Sequence, residues 1–213
     1  MNSIRPIIEA LEQAHAHFNG ALFGGRLKTS PVITVQTKGR KNALGWYWSG
    51  RWANGSSHPA ELNMSAEDLK RPADQVLETL VHEMVHQAAD EAGIKDTSRG
   101  GGYHNKKFRA LAEQAGLCVP AEPDKRHGFA FTSLGPVGTR ARVEVESIRS
   151  KIEPVLVLAR LLPVGKKSKG KMLLFMCSCG FKIRCGRSEL DARCNACDSD
   201  FVLQGADQDQ DEG

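Results

Sequence analysis

The run His82-Glu83-Met84-Val85-His86 puts two imidazoles and a carboxylate at the spacing used for metal-dependent hydrolysis. On a helix, residues at i and i+4 project from one face about one turn apart. His82 and His86 can therefore reach one ion with metal–nitrogen bonds of about 2 Å. Glu83 follows the first ligand directly, where it can meet a water held by the ion rather than the ion itself. Zinc lowers the pKa of such a water, and the carboxylate takes its proton as general base. The same five residues also occur as an exposed, charged helix face. Here the flanks Leu80, Val81, Met84 and Val85 are apolar. Burying two histidines and a glutamate among them without a partner would be costly, and a metal removes that cost.

A third protein ligand is required. Asp90 lies at i+4 from His86, but each further turn moves about 5.4 Å along the axis, so one straight helix is a poor source of three ligands. The metzincin extension needs a glycine at position 89 and a histidine at 92, where this chain has Ala89 and Ala92. The next histidine is His104, after the glycine-rich loop Arg99 to Gly102 and at the start of a further helical stretch, from which a ligand can fold back. His15, His17, His58 and His127 have no partner at ligand spacing and read as surface or partly packed side chains.

A second constellation uses sulfur. Cys177-Ser178-Cys179-Gly180 and Cys194-Asn195-Ala196-Cys197 are two close pairs separated by a short hairpin, the pattern of a closed tetrahedral zinc ribbon with Cys177, Cys179, Cys194 and Cys197 as ligands. The first pair is C-x-C rather than the commoner C-x-x-C. Phe181, Ile183 and Cys185 alternate with Lys182 and Arg184, which puts Cys185 on the inward face as a core cysteine; replacing Cys179 as a ligand is the alternative. A set of free buried thiols is the other reading of the module. At about 30 residues it has too little core to fold alone, which favours a metal. Of the six cysteines only Cys118 stands apart, so they do not form a disulfide framework, and in a reducing cytosol clustered cysteines read as metal ligands.

The elements that must position these residues follow from periodicity. Ile4, Ile7, Ile8, Leu11, Ala14, His15, Phe18 and Leu22 recur at helical spacing and predict an amphipathic helix over 3–19, with Gly24-Gly25 breaking the chain after it. Val32 to Thr37, Ala43 to Trp48 and Glu61 to Ser65 are strand candidates, the last two separated by a Gly/Ser/Asn-rich loop at 49–58. Pro72 suits a helix start, and Val76 through Ala88 keep helical spacing up to Gly93. Residues 104–115 read as another helix. Over 121–162, Val143, Val145, Ile148 and Val155 to Leu162 are apolar enough to be packed, with strand and helix not separable.

The chain has 213 residues with 40% hydrophobic and 25% charged side chains, ordinary for a soluble globular protein. No stretch approaches the roughly 18 apolar residues needed to cross a bilayer, and Met1 to Glu9 lack a signal-peptide pattern. A cytoplasmic protein with no membrane partner is expected. The expected organisation is a catalytic domain at 1–120, a connecting region at 121–162, a lysine-rich linker at 163–171, a zinc ribbon at 172–203 and an acidic, disordered tail at 204–213. The net charge of +4 is placed unevenly. Lys166, Lys167, Lys169 and Lys171 stand without an acid near them, as a solvated connector or as contacts to nucleic-acid phosphates.

The motifs resemble the SprT-like zinc metallopeptidases, which include Spartan-type proteases. The resemblance covers roughly residues 4–117 and, more loosely, the cysteine module. It rests on Phe18-Asn19, Leu22-Phe23-Gly24-Gly25-Arg26-Leu27, Leu44-Gly45-Trp46-Tyr47, Glu61-Leu62-Asn63-Met64-Ser65, Thr79 to His86, and Gly102-Tyr103-His104-Asn105-Lys106-Lys107-Phe108. It implies an α+β fold: a small zincin-like domain whose His-Glu-x-x-His helix packs beside a short antiparallel sheet, followed by a zinc ribbon. It also implies His104 as the third ligand of a catalytic zinc, with Glu83 as base, and a second, structural zinc on the four cysteines.

Trp46, Tyr47 and Trp48 lie, by resemblance, on a strand bordering the cleft, where an edge could pair with an extended peptide; core packing is their other role. Spartan-type relatives digest proteins crosslinked to DNA. The resemblance thus extends to a protein substrate, to DNA repair, and to DNA (single-stranded or protein-crosslinked) as a partner touching the ribbon and the four lysines. The rival expectations are a non-catalytic nucleic-acid-binding or regulatory protein with two structural zincs, and a zinc hydrolase acting on something other than protein.

Overall fold

Helix α1, Arg5–Phe23, buries Ile7, Leu11, Ala14, Phe18 and Leu22 along one stripe and carries a proline in its first turn. It runs four residues past the expected end at 19, because Ala21 to Phe23 keep the helical pattern and the stop is Gly24. That glycine sits at φ 65°, and the N–H of the next residue, Gly25, bonds the Asn19 carbonyl at 2.8 Å. The computed structural model describes residues 3–37, 43–161 and 172–204. They fall into two units, divided between Leu161 and Leu162.

In the first unit a three-stranded sheet is built from β1 (Val32–Gln36), β2 (Gly45–Trp48) and β3 (Glu61–Ser65), in the order β1-β3-β2. β2 pairs antiparallel with β3, but β1 pairs parallel with it. The expected antiparallel sheet is therefore corrected to a mixed one. The cause is topological: β2 runs back along the outer edge and the chain returns through the 49–58 loop, so β3 enters the middle of the sheet in the direction of β1. Leu62 and Met64 are buried in the main core, while Glu61, Asn63 and Ser65 point to the other face and are buried as well. There the Thr34 hydroxyl lies 2.7 Å from Glu61 Oε1 and 2.9 Å from Asn63 Oδ1.

Helix α2, Ala73–Glu91, follows Pro72 and has Asp74 in its first turn, where the helix dipole favours an acid. Val76, Leu77, Leu80, Val81, Met84 and Val85 are fully buried. Truncating Leu77 or Leu80 to alanine would cost about 2–5 kcal/mol, the range for such core deletions. Gly93, at φ 66°, lets the chain turn away. A short hairpin of β4 (Thr97–Ser98) and β5 (Tyr103–His104) then leads into helix α3, Lys106–Gln114. The expected helix at 104–115 starts later because Asn105 is its cap, accepting from the Lys107 and Phe108 N–H groups. That cap leaves His104 on a strand.

Helix α4, Arg140–Ile152, lies in the region left unassigned between strand and helix. Ala141, Val145, Ile148 and Ile152 recur at i, i+4, i+7 and i+11 and join the same core as α1 and α2, so residues beyond 120 belong to the packing of the first unit. A single 3-10 turn, Glu153–Val155, follows.

The second unit is a sheet of β6 (Leu173–Met176), β7 (Lys182–Cys185) and β8 (Val202–Leu203) in the order β7-β6-β8, all antiparallel. Its core is Phe175, Cys177, Cys194 and Phe201. Phe181 and Ile183, expected on an inward face, are 62% and 37% exposed, because so small a core does not extend over the edge strand β7. No helix among the described residues is long and apolar enough to cross a membrane. Lys166, Lys167, Lys169 and Lys171 and the acidic tail from 205 onward lie outside the described residues.

Candidate metal centres

Helix α2 turns His82 and His86 toward β5, and their rings meet that of His104. The Nε2 atoms of His82 and His104 are 3.2 Å apart, and those of His86 and His104 3.1 Å apart. A tetrahedron with metal–nitrogen bonds of about 2.0–2.1 Å has edges of about 3.3–3.4 Å, so the spacing suits one ion. Phe108 of α3, fully buried, packs against all three rings at centroid distances of 4.5–4.8 Å.

The partners of the outer nitrogens decide what these rings offer. His86 Nδ1 lies 2.6 Å from Asp96 Oδ2. A carboxylate only accepts, so Nδ1 carries the hydrogen and Nε2 of the neutral ring presents a lone pair. His82 Nδ1 lies 3.0 Å from the Thr132 hydroxyl. His104 Nδ1 is buried and has no hydrogen-bond partner among the described residues; the ring is held instead through its backbone. Burial, then the neighbouring His86 and His104, hold His82 well below the usual imidazole range, and burial brings His104 down to about 4. Burial also pulls on His86, but the Asp96 carboxylate and Glu83 outweigh it and its pKa rises. Three ring nitrogens converging this closely could hold one cation, and the all-imidazole donor set is compatible with zinc.

Glu83 is buried beside this cluster. Burial pushes its carboxyl up to about 7, against the opposing pull of His86 and of a hydrogen bond from the Tyr47 backbone N–H. β2 pairs with β3 along one edge only, and Tyr47 thus turns its N–H toward α2. Gly45, next but one on the same strand, has no side chain where one would press on the Glu83 side chain: a Cβ there would sit 3.1 Å from Glu83 Cγ and 2.9 Å from the Asn63 carbonyl oxygen. The Tyr47 hydroxyl donates to Asp90 at 3.0 Å, and Asp90 is not part of the histidine group. Trp46 is half-buried, and Trp48 is exposed with the Arg51 guanidinium 4.1 Å above its ring.

The cysteines form the second centre. Cys177, Cys179, Cys194 and Cys197 bring their sulfurs within 4.8 Å of one another, with Cys177–Cys179 at 3.3 Å and Cys179–Cys194 at 3.7 Å. Tight turns hold each pair: Gly180 N–H bonds the Cys177 carbonyl, and Asp198 N–H bonds that of Cys194. Hydroxyls of Ser178 and Ser199 lower the Cys197 thiol pKa, which favours the thiolate that a metal needs. Cys185 is outside the group. It packs on the small core, and its sulfur accepts from the Arg187 N–H at 3.4 Å.

The structure thus brings together His82, Glu83, His86 and His104, with Tyr47 beside them, and separately the four cysteines. His15, His17 and His127 bond instead to Gln87, Glu144 and Asp124. Asp96 and Thr132 were missed by sequence reasoning. Asp96 had one signal, an acid just beyond the helix stop at Gly93, while Thr132 had none.

A family model described as the SprT-like family matches residues 11–127, more than half of the chain. No curated protein and no solved structure matches it.

Proposed function

Because this chain belongs to the SprT-like family and so carries a metallopeptidase-like domain, we propose that it is a zinc-dependent endopeptidase acting through His82, His86, His104 and Glu83. The observation that carries this reading is the convergence of three imidazole nitrogens on one point beside a buried carboxylate. His82, His86 and His104 would hold zinc, which when bound supplies Lewis-acid polarisation of a carbonyl and a lowered pKa for water at the site.

The rest is the work of the chain. An extended peptide would lie along the edge of β2 that does not pair with β3, on a strand that packs closely against Glu83 at Gly45. The Glu83 carboxylate takes a proton from the attacking water as its oxygen bonds the scissile carbonyl carbon. It then delivers that proton to the leaving nitrogen as the C–N bond breaks. Trp46 and Trp48 flank the substrate on the opposite face of the strand. The four cysteines would hold a second zinc with no open position, and its part is to staple the small unit.

The substrate class within this reading is protein bound or crosslinked to DNA, with the ribbon, Lys166, Lys167, Lys169 and Lys171 touching single-stranded DNA. It is supported by the acid-free lysine run and by the family resemblance. The test is a cleavage assay with and without single-stranded DNA. Wild-type protein is expected to cleave a protein substrate and to be accelerated by DNA. Glu83→Gln is expected to keep its zinc and lose about 10²-fold or more in rate, as when a general base is removed. Unchanged turnover in Glu83→Gln contradicts the mechanism, and an unchanged rate with DNA contradicts the DNA-linked substrate class alone.

A further inference from the structure

Residues 128–134 lie beyond the stretch that the family description covers, yet they touch the histidine site at two places. The His104 N–H donates to the His127 carbonyl and the Phe129 N–H donates to the His104 carbonyl, both at 3.0 Å. The backbone of His104 is thus clasped on both sides of Gly128. That glycine stands at φ 66°, and a Cβ on it would collide with the His104 carbonyl oxygen and press on the Tyr103 ring, so only glycine fits. Four residues on, the Thr132 hydroxyl meets His82 Nδ1 at 3.0 Å.

The segment itself is firmly held. Phe129 and Leu134 are buried in the main core. Ser133 exchanges two backbone hydrogen bonds with Cys118, at 2.8 and 2.9 Å. The Leu134 N–H donates to the carboxylate of Glu78, one turn before His82 on α2. A strap anchored at both ends therefore crosses the site and holds one ligand by its ring and another by its backbone.

We infer that the strap Gly128–Thr132 positions two of the three zinc ligands: Thr132 orients the His82 ring by accepting from Nδ1, and the backbone around Gly128 fixes His104. This rests on the zinc reading above. An accepting hydroxyl keeps the hydrogen on Nδ1 and the lone pair of Nε2 inward, which raises ligand basicity and stops the ring from turning. Without it, Nδ1 is left facing an apolar neighbour and the ring loses its preferred tautomer.

The experiment measures zinc affinity by chelator competition, and the visible spectrum of the cobalt-substituted protein, for wild type, Thr132→Val, Thr132→Ser and Gly128→Ala. His104→Ala serves as the reference that isolates the histidine site. Thr132→Val is nearly isosteric and keeps the fold; its affinity is expected to fall by about 10–100-fold, the range for lost outer partners of ligand histidines, with an altered cobalt spectrum. Thr132→Ser restores the hydroxyl and is expected to restore both readouts. Gly128→Ala is expected to weaken the site further, through His104. Wild-type protein that binds zinc at the histidines, while Thr132→Val binds it as tightly with the same cobalt spectrum, overturns the inference and leaves the zinc reading standing. Wild-type protein that takes up no zinc there overturns both.

Discussion

His86 Nδ1 lies 2.6 Å from Asp96 Oδ2, and the Asp96 carbonyl accepts the N–H of Asn105, the residue after His104. One residue therefore couples the second and third histidines. Its side chain orients His86, and its backbone ties the end of the hairpin that carries His104. Asn105 adds a bond from its amide to the Lys95 carbonyl at 2.9 Å and caps α3. The hairpin that carries His104 is thus braced at its base.

Replacing Asp96 is therefore expected to act on metal affinity first. Asp96→Ala should weaken zinc binding at the histidine site by about 10–100-fold. Asp96→Asn, which keeps an accepting oxygen but not the charge, should lie between it and wild type. Competition against a chelator of known affinity measures this; equal affinities for all three proteins would remove Asp96 from the account.

Gly45→Ala tests the closeness of β2 to the Glu83 carboxylate. The added Cβ would meet the Asn63 carbonyl at 2.9 Å and Glu83 Cγ at 3.1 Å. Overpacking of this kind costs about 1–3 kcal/mol, and the shift falls on Glu83. Reduced unfolding free energy together with a lower kcat, at unchanged zinc content, is the expected result. Wild-type stability and turnover would mean that the strand yields without moving Glu83.

The buried His15 sets a stability prediction with a definite sign. Burial lowers its pKa in the folded protein, against the opposing effects of the Gln87 hydrogen bond and Glu91. The unfolded chain therefore takes up the proton first as pH falls. The contribution is fully present above about pH 6.5 and is lost as pH drops below it. Denaturant unfolding of wild type and His15→Gln between about pH 7.5 and about pH 5 should give a steeper acid loss for wild type. Parallel curves would contradict the assignment.

Cys185 separates the two readings of the cysteine module. It lies outside the four-sulfur group, so Cys185→Ala should keep the zinc content of wild type, whereas Cys194→Ala should lose one ion. Loss of zinc in Cys185→Ala would make it a ligand after all.

Much of the site was legible because it is local. His82, Glu83 and His86 share one helix turn, so spacing alone places them together. The four cysteines cluster within one short module for the same reason. His104 needed the family resemblance, since no spacing rule carries a ligand across a glycine-rich loop. Asp96 and Thr132 were not legible, because a hydrogen bond from a ligand's outer nitrogen depends on how distant loops fold back. In the fold, α1 and α2 announced themselves through long apolar stripes. Helix α4 hid its stripe of Ala141, Val145, Ile148 and Ile152 behind the exposed Val143 and a run of charges. The parallel pairing of β1 with β3 depends on the path between them, which strand patterns do not encode.

The central claim is that three histidines hold one zinc, apart from the four cysteines. Zinc content per chain, compared between wild type and His104→Ala, tests it most directly. About two ions are expected for wild type and about one for His104→Ala, from one three-nitrogen and one four-sulfur site. Two ions retained by His104→Ala, or a single ion in wild type, would contradict it.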